Sequence, residues 1–158
     1  RCDETVECLR SVRKGRYTYI RNFYPERPHL QPNAYKDAKA ILIRLRELHA
    51  DGQLAGHPAE RLFAVPRPIE ELYDREADPW ELKNLAGDPA HAATLAEMRG
   101  ILDAWIQETN DQGQSPETDV VYDADMKVYL ENQRRRPEYV RILQGNIAQM
   151  KAWAAEGK

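Results

Sequence analysis

The run RPIEELYDREADPWELKNLAGDP, Arg67 to Pro89, constrains the fold of this chain more than any other segment, because it demands several changes of backbone state in quick succession. Pro66 and Pro68 exclude helix just upstream. Glu71-Leu72-Tyr73-Asp74 then sends Leu72 and Tyr73 to opposite faces of an extended segment. Asp78 offers a side-chain acceptor at a helix N-cap, Pro79 a fixed φ at the first helical position, and Glu81 the closing member of a capping box. Gly87 suits a left-handed residue ending a short helix, and Asp88-Pro89 repeats the start signal. The expectation is a strand, a helix of one or two turns from Pro79, a Gly stop and a second helix.

The flanking sequence supplies partners for that strand. Val6 to Arg13 and Tyr17 to Phe23 both alternate, and Arg13-Lys14-Gly15-Arg16 between them places Gly where a hairpin turn needs positive φ. Pro25, Pro28 and Pro32 keep Tyr24 to Asn33 extended or coiled. After Asn33 the period becomes helical, with Ala38, Ile41, Leu42, Leu45 and Leu48 on one stripe and Asp51-Gly52 as the stop. Arg61 to Val65 reads as a further short strand. From Pro89, Ala92, Leu95, Met98, Leu102, Trp105 and Ile106 recur at helical spacing until Asn110-Asp111-Gln112-Gly113. Ser115 to Asp123 reads as an acidic linker, followed by two helical pieces divided near Pro137. The fold class expected is α+β, a small antiparallel sheet of about four strands packed with helices, plus a helical C-terminal extension. The division expected is residues 1–113 for the sheet and its helices, and 114–158 for the linker and extension.

Composition narrows function by exclusion. Lys and Arg total 23 against 26 Asp and Glu, a net charge of −3, so no nucleic-acid footprint is expected. No apolar run reaches the length of a membrane span. Position 1 is Arg rather than Met, and the expectation drawn is a fragment or processed chain. Cys2 and Cys8 lie on an extended approach to a strand, where a disulfide between them would need a bend, and are read as two reduced or semi-buried thiols. His29, His49, His57 and His91 show no paired metal spacing. Arg134-Arg135-Arg136 reads as a solvated turn at a helix junction rather than an anion site.

Three blocks together resemble the C-terminal subdomain of sulfatases. LRSVRKGRYTYIRNF, Leu9 to Phe23, resembles that family's hairpin, with Thr18 where Lys is common. Arg67 to Pro89 resembles its Glu-Leu-Tyr-Asp strand, Asp-Pro-x-Glu helix start and Asn-Leu-Ala stop, in the order and spacing of Leu72, Tyr73, Asp74, Asp78, Pro79, Glu81, Asn84 and Leu85. LDAWIQETNDQG, Leu102 to Gly113, is similar to the helix that follows. The resemblance implies a parent enzyme that hydrolyses sulfate esters, or sulfamates, of a carbohydrate or small molecule. It also implies a formylglycine made within Cys/Ser-x-Pro-x-Arg, a calcium ion beside it, and an exported, periplasmic or extracellular, protein. An aldehyde hydrate provides the covalent nucleophile, and metal and cations neutralise the sulfuryl oxygens.

That motif is absent here. Cys2 precedes Asp3-Glu4-Thr5-Val6 and Cys8 precedes Leu9-Arg10-Ser11-Val12, while Ser11 and Ser115 fail likewise. No catalytic or metal residue is therefore carried over, and the chain alone is expected to be inactive. Calcium and formylglycine belong to an α/β catalytic domain implied as its partner. The segment entering the first hairpin strand, Arg1, Asp3 and Glu4, is by resemblance a candidate for the substrate rim. A stand-alone binding module without enzymatic activity is the alternative, and an exposed apolar patch distinguishes a subdomain from it. A hydrolase built on Glu70, Glu71 and Asp74 is disfavoured, because no His or nucleophile accompanies them.

Overall fold

A two-residue turn, Gly15-Arg16, joins β1 (Leu9–Lys14) to β2 (Tyr17–Asn22), with Lys14 paired to Tyr17 and Leu9 to Asn22. Gly15 has φ of +54°, which only glycine adopts without strain. β2 pairs on its other side with β3 (Glu70–Asp74), antiparallel from Tyr17–Asp74 to Arg21–Glu70, giving the order β1-β2-β3. The computed structural model describes residues 3–115 and 117–158. Among these the sheet has three strands, one fewer than expected, in an α+β arrangement with four α-helices.

The missing strand is Arg61 to Val65. Pro58–Leu62 instead forms a 3-10 turn, with Pro58 in its first turn and His57 Nδ1 accepting from the Ala59 amide at 3.1 Å. A cap and a fixed φ at one end override the short apolar alternation that suggested a strand.

The chain forms two compact units. The sheet unit comprises residues 7–25 and 67–115, and the helical unit residues 3–6, 26–66 and 117–158. In the sheet unit, α2 (Ala92–Thr109) lays Leu95, Met98 and Leu102 on the face of the sheet that presents Tyr19 and Leu72, with Leu85 completing the core. Asp88 caps the 3-10 turn leading into α2, accepting from Ala90 N at 2.9 Å, and Asn110 ends the helix in the left-handed region at φ 49°. Both ends agree with the signals at Asp88-Pro89 and Asn110.

The helix expected at Pro79 does not form. Asp78 Oδ2 accepts from Lys83 N at 2.7 Å, five residues on rather than two or three, and Glu81, not Gly87, takes the left-handed conformation at φ 51°. The cause lies just beyond. Asn84 Oδ1 accepts from Leu72 N at 3.0 Å and Asn84 Nδ2 donates to Glu70 O at 3.0 Å, so one side chain imitates a neighbouring strand along the open edge of β3. Leu85 N donates to Leu72 O at 2.8 Å and its side chain is buried. A helix through Pro79–Asn84 would pull both residues off that edge, and the strand clasp wins over a local capping preference.

The helical unit holds α1 (Ala40–Ala50), α3 (Asp119–Asn132) and α4 (Pro137–Ala155). Tyr122 and Met126 of α3 and Met150 of α4 form its core, with Val6, Tyr129, Ile147 and Trp153 packed around them. α3 starts inside the stretch expected to be a linker, and α4 starts at Pro137 as its fixed φ suggests. α1 starts later than the periodicity predicts. None of its residues is buried, and Ile41, on the stripe expected to face a core, is 69% exposed.

Candidate functional site

The segment 3–6 belongs to the helical unit, and its hydrogen bonds there define what it does. Asp3 Oδ1 accepts from Thr5 N at 3.1 Å and from Thr5 Oγ1 at 2.6 Å, a local turn that fixes the chain direction. Glu4 has no exposed surface. Its Oε1 accepts from Ala34 N at 2.6 Å and from Asn146 Nδ2 at 2.8 Å, and its backbone carbonyl accepts from Tyr122 OH at 2.8 Å. Nearby, Arg27 and Gln31, both buried, donate to Val6 O at 3.0 Å each. Of the three residues assigned to the rim by resemblance, Glu4 is thus an internal brace and Asp3 a half-buried turn residue, while Arg1 lies outside the described residues.

Glu4 holds a turn that sequence reasoning passed over. Asn33, buried, accepts at Oδ1 from Lys36 N at 2.8 Å, and its own N–H donates to Asp37 Oδ2 at 3.0 Å. Asp37 N donates back to Asn33 O at 2.9 Å, and Arg46 clamps Asp37 Oδ1 through Nε at 2.9 Å and Nη2 at 2.7 Å. The signal for it in the sequence is Asn33, a residue type that favours turns, at the end of a stretch that reads only as extended or coiled chain. Asn146 sits on α4 with nothing in its spacing to mark it.

In the sheet unit Glu70, Glu71, Asp74 and Asp111 are committed to structure. Glu70 accepts from Arg99 Nε at 2.6 Å and from Tyr19 OH at 2.6 Å, and the Arg99 guanidinium holds its carboxyl below the usual range. Glu71 accepts from Asn22 Nδ2 at 2.7 Å and from Tyr73 OH. Asp74 is bridged by both guanidinium arms of Arg16, Nε at 2.7 Å, and also accepts from Glu76 N and Ala77 N, so it too is depressed. Asp111 is lowered in the same way by Arg10. The buried Cys8 thiol is free and pushed up by burial, the opposite of what a nucleophile needs; Cys2 lies outside the described residues.

These shifts set an acid limit. A carboxylate whose folded-state pKa lies below its unfolded value binds fewer protons when folded, so its contribution is complete above the ordinary range of about 4 and is lost as pH falls through the depressed value. The sheet unit is therefore expected to hold a constant melting temperature down to about pH 5 and to lose it progressively below about pH 4. Arg99→Met removes the guanidinium that holds the Glu70 carboxyl low. Melting followed by circular dichroism should give a shallower acid slope for that variant, and an unchanged slope would assign the acid sensitivity elsewhere.

The residues present do not fit the groups that the resemblance places in a sulfatase centre. Neither Cys has the Pro and Arg that formylglycine formation requires, and among the described residues no three His, Cys, Asp or Glu side chains converge to hold a metal ion. No helix of the described residues is long and apolar enough to cross a membrane.

No protein-family model matches the chain. Curated proteins do. The chain is 36% identical over 121 residues, 77% of its length, to an ulvan-active sulfatase of Formosa agariphila, of which it covers 20%. It is 48% identical over 50 residues to a Δ4,5-hexuronate-2-O-sulfatase of Bacteroides thetaiotaomicron, covering 32% of this chain and 10% of that protein. It is 51% identical over 41 residues to the N-sulphoglucosamine sulphohydrolase of Homo sapiens, covering 26% and 8%. The chain spans one fifth or less of the length of each of these relatives, and over that portion it is a relative of the sulfatases.

Proposed function

We propose that this chain is the C-terminal, non-catalytic portion of a sulfatase, packed against an α/β catalytic domain that carries formylglycine and calcium and hydrolyses sulfate esters or sulfamates of a carbohydrate. The observation that carries this is the match of 121 residues to one fifth of the ulvan-active sulfatase. Two further relatives are named for a hexuronate 2-O-sulfate and for N-sulphoglucosamine, both sulfated sugars, which supports a carbohydrate substrate. α1 supports a larger neighbour. None of its residues is buried, Leu42, Leu45 and Leu48 of its stripe are only half-buried, and Ile41 on the stripe and Ile43 off it are 69% and 47% exposed, an apolar surface that is ordinary for a helix built to be covered.

Replacing the matched segment of the ulvan-active sulfatase by residues of this chain tests the reading. A chimera that melts in one transition and hydrolyses ulvan sulfate supports it. A chimera that folds but leaves the grafted segment melting independently rejects the docking role, and turnover of a chromogenic aryl sulfate by the isolated chain above a denatured control rejects the non-catalytic one.

A further inference from the structure

The turn before α1 combines rigidity, an exposed ring and uncompensated positive charge. Tyr35 lies between buried Ala34 and exposed Lys36 and is itself 60% exposed. Its backbone is fastened on both sides. Ala34 N is held by Glu4, Lys36 N by Asn33 Oδ1, Asp37 N by Asn33 O, and Lys39 N donates to Lys36 O at 2.9 Å. An aromatic held out to solvent on a turn secured from beneath has little ordering entropy left to lose on binding.

The electrostatics point the same way. Lys39 Nζ lies 4.3 Å from the Tyr35 ring centroid, and among the described residues neither Lys36 nor Lys39 has a carboxylate partner. Of the acids at this turn, Asp37 is occupied by Arg46 and by Asn33 N, and Glu4 is buried beneath it on Ala34 N and Asn146 Nδ2. α1 has no acidic residue in its first turn and no side-chain cap, so the positive end of its dipole adds to the charge of Lys39, its N-cap residue. A ring that offers an apolar face and cations that pair with an anion match the two halves of a sulfated sugar.

We propose that Tyr35, Lys36 and Lys39 form a surface subsite for a sulfated sugar residue. The pyranose packs on the Tyr35 ring, Lys36 and Lys39 pair with the sulfate, and Glu4 and Asn33 act as positioning residues beneath. The choice of sulfated sugar rests on the sulfatase reading above; the geometry of the turn does not.

Titration of the 158-residue chain with N-sulphoglucosamine, followed by amide and Tyr ring signals in NMR, tests this. Saturable shifts confined to residues 33–39 are expected, with a dissociation constant on the order of 1 mM. N-acetylglucosamine, which keeps the ring and lacks the sulfate, should bind at least about five-fold more weakly, as should the Tyr35→Ala and Lys39→Gln variants. Equal shifts with N-acetylglucosamine, equal shifts with inorganic sulfate alone, no shifts, or indifference to Tyr35→Ala would each overturn the subsite. An active chimera with no shifts here would sink the subsite and leave the sulfatase reading standing. Shifts here with an independently melting graft would do the reverse.

Discussion

Leu72→Ala is expected to lower the stability of the sheet unit by about 3 kcal/mol, the middle of the range for emptying a fully buried leucine site. Leu72 is 0% exposed on β3, directly opposite Tyr19 of central β2, and it belongs to the cluster with Leu85, Leu95, Met98 and Leu102. Its backbone is doubly engaged outside the sheet ladder, N–H to Asn84 and C=O from Leu85, so β3 cannot slide to fill the space. Native-state hydrogen exchange separates the two units, because it reads opening free energies amide by amide. Amides of Tyr19 and Leu72 should lose protection by the full amount, while those of Tyr122 and Met126 in the helical unit hold theirs. Ile41→Ala is the internal control, since an exposed site away from a cap or core shifts stability within about 0.5 kcal/mol. A loss at Ile41 equal to that at Leu72 would mean that α1 is already packed in the isolated chain, against both its exposure and the docking role assigned to it.

Leu72 and Ile41 also mark the boundary of what the sequence discloses. Alternation places Leu72 in a strand and on one face, the hairpin follows from Gly15, and α2 follows from its apolar spacing and its two ends. Each of these signals is local and is answered by a local contact. The helix expected at Pro79 fails for the complementary reason. Asp78, Pro79 and Glu81 state a capping preference worth about 1 kcal/mol, and Asn84 and Leu85 gain more by returning to the edge of β3, a partner fixed by tertiary structure. At Arg61 to Val65 the short apolar run carries no way to tell strand from tight helix, and His57-Pro58 decides. The candidate site was legible only in part. Segment 3–4 was singled out, but its partners Ala34 and Asn146 are 30 and 142 residues away, and no periodicity links them. Tyr35 carries no sequence signal, because an aromatic amid prolines looks the same in sequence whether it faces a core or solvent.

Glu4→Ala should cost the helical unit about 2–4 kcal/mol, since it strands two donors that one carboxylate oxygen now satisfies, the buried Ala34 N and the half-buried Asn146 Nδ2. The loss of packing in a fully buried position adds to it. Glu4→Gln separates shape from charge. Its carbonyl oxygen can still accept from Ala34 N, and Asn146 can turn its own oxygen toward the new amide, so less than about half of the loss is expected. Urea unfolding of the two variants, with hydrogen exchange at Ala34 and Tyr122 to confine the effect to this unit, measures the difference. Equal losses would show that the negative charge itself is needed, and negligible losses in both would show that the turn stands without its brace. In Glu4→Ala the Tyr35 turn also loses its fastening on the Ala34 side, so N-sulphoglucosamine should bind more weakly although Tyr35, Lys36 and Lys39 are all intact. A packing role alone would lower stability and leave that affinity where it was; a positioning role moves both.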